Sequence, residues 1–201
     1  MKLKKFTLAI CMGLVISILV SMARFDASCL ELKENLLRLH IVANSDSAED
    51  QALKLKVRDR ILRVGSTAFC DNENLVIAKQ TAEKMLPLFT DEALKVIEEN
   101  GYDYDVKVTV DKAFFDTRVY ENFTLPAGEY DALKVVIGEG KGKNWWCVIF
   151  PSVCIPSASN KNISTVVSSN TYQITKNASK YVMKFKVIEW YESIKNSLSK
   201  H

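Results

Sequence analysis

Hydrophobic and polar positions change period several times along this chain. Leu37, Leu39 and Ile41 alternate with Arg38 and His40, which predicts a strand from about Leu36 to Val42. Asn44, Ser45, Asp46 and Ser47 interrupt it with turn and cap chemistry. Ser47 and Asp50 stand at the Ser-x-x-acid spacing of a helix start, with Ser45 and Asp46 as competing N-caps. The helix that follows places Leu53, Val57 and Ile61 on one stripe, and Gly65 is its expected stop.

A second helical pattern covers 73–100. Pro87 is expected to break it, Thr90 to cap the second piece, and Asn100-Gly101 to end it. Tyr102, Tyr104, Val106, Val108 and Val110 then alternate with polar residues, predicting a half-buried strand over 102–110. Another strand is expected over 117–124. Residues 131–137 fit either period; the β-branched run Val135, Val136, Ile137 favours a strand. Trp145 to Phe150 reads as a buried strand. With 131–137 it predicts a hairpin whose tip is the glycine-rich, polar stretch 138–144.

The two ends differ from this body. Residues 6–20 form an apolar run of fifteen behind Lys2, Lys4 and Lys5, followed by Ser21-Met22-Ala23, small residues at a cleavage spacing. The segment 1–23 is therefore a signal peptide or an uncleaved membrane anchor, and in both cases the remainder lies outside the cytoplasm. Residues 24–35 read as a lead-in with a short helix near 30–36. Residues 157–180 are rich in Ser, Asn, Thr and Lys and read as a loose polar linker. Residues 181–201 form an amphipathic tail helix with Tyr181, Phe185, Ile188, Tyr191, Ile194 and Leu198 on one face. The stretch 157–201 carries seven Lys and two Glu, which suits docking on the domain, on a partner or on an anionic membrane. The fold class expected is α+β: a single domain over 24–156, with a small mixed or antiparallel sheet packed with helices.

Charge narrows the function. The formal net charge is +3, and the three N-terminal lysines account for it, leaving 24 basic against 24 acidic residues. A neutral body lacks the basic face of a general nucleic-acid binder. Catalytic chemistry is thin. His40 with Asp46 or Asp50 has the composition of an acid–base pair, but a lone strand histidine is also an ordinary structural residue. The second histidine, His201, sits at the chain end, so a histidine-based metal site is not expected, and no cofactor is expected. The loop at 138–144 lacks the GxxxxGK[ST] spacing and leads into a strand. Cys147 and Cys154 flank a turn at Pro151 and are expected to pair in an exported protein, with Cys29 and Cys70 as a weaker second pair. Trp145 and Trp146 must face opposite sides of a strand, so one fills the core and the other needs cover.

Two long stretches, LRLHIVANSDSAEDQALKLKVRD ending at Asp59 and LPAGEYDALKVVIGEGKGKNWWCVIFPSVC over 125–154, resemble the stage II sporulation protein R family of endospore-forming bacteria. They stand in the family's order behind an export segment. One departure is Pro151-Ser152-Val153-Cys154, where a second proline and a leucine are expected before the cysteine. The resemblance implies a protein exported from the forespore into the space between forespore and mother-cell membranes. There it would trigger the membrane-embedded aspartic protease (stage II sporulation protein GA) that removes the pro-sequence of sigma factor E. On that reading the chain is an activator and not an enzyme. Its partner surface is expected at Asn44, Ser45, Asp46, Asp50 and Gln51 and at Lys141, Asn144, Trp145 and Trp146. The rival readings are an extracytoplasmic hydrolase using His40 and a membrane-tethered structural protein.

Overall fold

The computed structural model describes residues 2–69, 72–120, 123–151 and 163–199. The α+β expectation holds. In chain order the elements are α1 (Lys2–Asn35), β1 (Leu37–Val42), α2 (Ala48–Phe69), α3 (Leu75–Lys84), α4 (Leu86–Glu99), β2 (Val106–Phe115), β3 (Arg118–Val119), β4 (Thr124–Leu125), β5 (Gly128–Ile137), β6 (Asn144–Phe150), α5 (Ser169–Lys176) and α6 (Val182–Ser199). They fall into two compact units, 33–115 with 129–168, and 1–32 with 116–128 and 169–201. This division cuts across the single 24–156 body expected from the pattern.

The 33–168 unit is built on a four-stranded sheet of order β2-β5-β1-β6. Strand β1 runs parallel to β5 and antiparallel to β6. All six residues of β1 are buried, as a central strand requires. The hairpin expected from 131–137 and 145–150 does not form, because β1 lies between those strands. Crossing one intervening strand takes about 10 Å, which the six residues 138–143 span easily.

Helices α2, α3 and α4 cover one face of this sheet. Leu37, Leu39 and Ile41 of β1 meet Leu53, Val57 and Ile61 of α2 and Phe89, Ala93 and Ile97 of α4 in one core. Helix α2 does not stop at Gly65. A Cβ there would sit 2.8 Å from Ile149 Cδ1, so the glycine is a close-packing point and the helix runs on to bury Phe69. The break between α3 and α4 falls at Met85, which leaves Pro87 in the first turn of α4, where its missing N–H costs nothing. Thr90 is no cap: inside α4 its hydroxyl donates to the Leu86 carbonyl at 2.8 Å. Strand β2 starts four residues later than the alternation suggested, since the Tyr102 N–H still bonds back to the Ile97 carbonyl. The strand expected over 117–124 is a two-residue ladder, Arg118–Val119 against Thr124–Leu125.

The other unit contains α1, the β3–β4 ladder, α5 and α6. Its core is Phe25, Cys29, Ile174, Phe185 and Ile188, with Ala178 and Tyr181 beside them. Helix α1 runs unbroken through the region expected to be a lead-in, because Phe25, Cys29 and Leu32 form one buried stripe. Its N-terminal part is exposed and apolar, and is long enough to cross a membrane. The stretch expected to be a linker carries α5 and two single 3-10 turns. Thr171, Ile174 and Thr175 make its buried face, with Thr171 donating to Glu31 and Thr175 to the Tyr172 carbonyl. Threonine hydroxyls with partners do there what large apolar groups do elsewhere. Of the apolar face predicted for the tail, only Phe185 and Ile188 are buried.

Candidate functional site

The two polar stretches singled out from the sequence meet. The β1–α2 turn (43–47) and the β5–β6 loop (138–143) lie against each other at one end of the sheet. Four backbone N–H groups of the loop are held by the turn. Lys141 donates to the Asn44 carbonyl at 3.0 Å and Gly142 to the Ala43 carbonyl at 2.9 Å. Glu139 donates to Asn44 Oδ1 at 2.9 Å and Lys143 to Asp46 Oδ1 at 2.7 Å. Gly138 has φ +53°, and a Cβ on it would lie 2.3 Å from Asn44 Oδ1; a side chain there would be strained and would displace the Asn44 amide. The expected flexible tip is therefore a fastened strap.

Asp50 organises the turn from inside. It is only 5% exposed. Its carboxylate accepts from Ser45 Oγ at 2.6 Å and from Asn44 Nδ2 at 2.9 Å. The Tyr104 hydroxyl favours the charged carboxylate as well. Burial favours the protonated acid, but the bonds from Ser45, Asn44 and Tyr104 outweigh it and hold the carboxyl below its ordinary value. Ser47, the N-cap of α2, accepts from the Asp50 N–H at 3.1 Å. Gln51 donates to the Ser45 carbonyl at 2.9 Å. Lys54, 4% exposed, reaches Gln51 Oε1 at 2.5 Å and the Lys143 carbonyl at 2.8 Å, tying α2 to the strap. Burial lowers its pKa.

His40 lies on the face of the sheet away from α2. Its ring stacks on Trp146 at 4.0 Å, and Phe115 closes edge-on against Trp146 at 4.6 Å. His40 Nε2 donates to Asn144 Oδ1 at 2.8 Å. Beside it the fully buried Arg38 lays its guanidinium over Phe115 at 3.9 Å and Tyr130 at 4.9 Å, and its Nε donates to the Cys147 carbonyl at 3.5 Å. Trp145 points the opposite way, into the helix-side core, under the Arg58 guanidinium at 4.4 Å. Both indoles are thus half-buried against their own unit.

The acid–base pair considered for His40 does not form. His40 bonds Asn144, Asp50 bonds Asn44 and Ser45, and Asp46 takes the Lys143 N–H. Burial, with Lys134 and Arg38 nearby, pushes the imidazole below 6.5, against the Asn144 bond. The unfolded chain then binds the extra proton more readily. The stability that neutral His40 contributes is present above pH 6.5 and is lost as pH falls through the lowered folded value. Thermal unfolding of the full chain in detergent should show a midpoint that falls on acidification through this range. His40→Gln should flatten that dependence; equal slopes in both proteins would refute the assignment.

Among the expected contact residues, Asp46, Lys141 and Asn144 are exposed, Asn44, Ser45 and Gln51 are half-buried, and Asp50 is buried. Lys54, Tyr104 and Phe115 were not legible as participants, since each joins from another element. Cys147 is buried and disulfide-bonded, the other half of the bond lying outside the described residues, as does Cys154. Cys29 is a buried thiol, so the second pair considered, Cys29 with Cys70, does not form. No metal-ligating cluster occurs among the described residues.

Residues 33–160, which carry the turn, the strap and the aromatic cluster, match the family described as stage II sporulation protein R. The chain belongs to this family. Stage II sporulation protein R of Bacillus subtilis (strain 168) is 37% identical over 129 residues, covering 64% of this chain and 58% of the relative. The chain thus spans less than two thirds of that relative's length. No solved structure matches it. The family match supports a role in sporulation, and the apolar α1 is compatible with export or anchoring.

Proposed function

We propose that this chain is an exported sporulation signal that activates the membrane-embedded aspartic protease (stage II sporulation protein GA) processing pro-sigma E in the mother cell. The observation that carries the reading is a family match over 33–160 directly behind an exposed apolar helix. The route runs from the forespore into the intermembrane space. The partner surface is the outer rim of the turn and strap, where Asp46, Glu139, Lys141 and Asn144 are exposed. Their backbones are fastened, so the rim binds without a large ordering cost. To shift the protease a hundredfold toward its active state, the chain must bind that state more tightly by about 2.7 kcal/mol.

The test is pro-sigma E processing in sporulating cells. Deleting the gene should abolish processing, and the wild-type chain should restore it. Lys141→Glu alters only an exposed pair with Glu139, so stability should stay within about 0.5 kcal/mol. Processing should nevertheless fall several-fold. Normal processing in the deletion strain overturns the function; full processing with Lys141→Glu overturns the surface.

A further inference from the structure

Helix α6 is apolar on two opposite sides. Phe185 and Ile188 face Phe25 and Cys29 in the core of their unit. Met183, Val187, Trp190, Ile194 and Leu198 recur at steps of four, three, four and four, forming a single stripe on the opposite side. That stripe is exposed: Met183 is 78%, Trp190 70% and Leu198 74% accessible, with Tyr191 along its margin. Lysines border it on both sides, Lys184 and Lys195 on one and Lys186 on the other. An apolar stripe with an indole and a phenol, edged by cations, is the composition of a helix lying in a membrane interface.

The same unit shows which surface takes it. The exposed apolar run of α1 ends at Val20, and Lys184 Nζ donates to Ser21 Oγ at 2.7 Å and to its carbonyl at 3.4 Å. Phe185 packs edge-on against Phe25 at 5.0 Å. The beginning of α6 is therefore fastened where the chain leaves its membrane-crossing length.

We propose that α6 docks through Met183, Val187, Trp190, Ile194 and Leu198 on the interface of the lipid bilayer that α1 enters. Insertion buries the stripe in the acyl boundary while Lys186 and Lys195 meet anionic headgroups. The contact is separate from the turn–strap rim and does not depend on the protease reading. Because Phe25, Cys29, Phe185 and Ile188 all lie beyond Ala23, the docked helix would also keep a chain cleaved there on the membrane.

The experiment uses the full chain reconstituted in vesicles of phosphatidylethanolamine and phosphatidylglycerol. The difference in fluorescence between it and Trp190→Phe isolates Trp190 from Trp145 and Trp146. Replacing ordinary lipid by lipid with brominated acyl chains should quench the Trp190 contribution by about twofold or more. Acrylamide in the water should quench it little. A Trp190 that ignores brominated chains and is open to acrylamide overturns the proposal. Protection that grows with the protein-to-lipid ratio, without quenching by brominated chains, also overturns it and assigns the stripe to a second copy.

Discussion

Asp50→Ala should destabilise the chain by about 3 kcal/mol. The carboxylate is the common acceptor for Ser45 Oγ and Asn44 Nδ2. A hydrogen bond to a charged group is worth about 1.5–3 kcal/mol, and truncation leaves its donors without an acceptor. The losses do not add in full, because Ser45 and Asn44 are half-buried and water replaces part of what is removed. For a chain of this length the midpoint should fall by about 6–12 °C. Asp50→Asn, which keeps one acceptor oxygen, should lose roughly half as much. Acid supplies a second check. The folded carboxyl is held below 3.8, so its contribution is present above that value and disappears as pH falls through the folded one. The gap between wild type and Asp50→Asn should close there. A gap that persists in acid would show that the carboxylate is not the source. The Asn44 amide joins Asp50 to the Glu139 N–H, so the same substitution should loosen the strap, read as faster amide exchange at 139–143.

Gly142→Ala attacks the other side of that contact. The added Cβ would lie 2.1 Å from the Ser45 carbonyl oxygen, 2.6 Å from its carbon and 2.9 Å from Ala43 Cβ. Two of these are backbone atoms, so no rotamer relieves them. The strap must lift, breaking the Gly142 N–H bond to the Ala43 carbonyl and straining those of Lys141 and Lys143. A loss of about 3 kcal/mol is expected, at the upper end for overpacking by one methyl group because the obstacle is backbone. Urea unfolding should show a lower midpoint with an unchanged slope. The comparison with Gly101→Ala is useful. At Gly101 no atom lies within 4 Å, and the cost is only that of φ +79°. If the two variants lose the same stability, close approach is not what Gly142 serves.

These two sites show where sequence reading succeeds. The cap chemistry at 45–50 was legible because it is local: Ser47, Asp50 and the alternation of β1 lie within a few residues of one another. What Asp50 holds was not legible, because the strap comes from about 90 residues away in the chain. The strap is not legible as such, for an identifiable reason. Two apolar strands around a glycine-rich polar segment match the local pattern of a hairpin, and local pattern cannot reveal a third strand inserted between them. The structured part of the expected linker, 163–180, is hard to read because its buried apolar residues, Ile163, Val167 and Ile174, are few and two further buried positions are threonines. The tail helix is legible as α6, but it carries apolar residues on two faces, and periodicity cannot tell which is covered.

By itself the sequence determined the apolar N-terminal segment, the α+β class, the β1–α2 turn with its cap, and the family, through two long strings of specific residues. Each depends on neighbours in the chain or on residue identity alone. Only the tertiary structure decided that β1 lies between β5 and β6, that His40 stacks on Trp146 and bonds Asn144, and that Asp50 is a buried anchor. These depend on which strands become neighbours. That choice is made by burying both faces of β1 at once, a balance of packing across the whole unit that no short stretch of chain records.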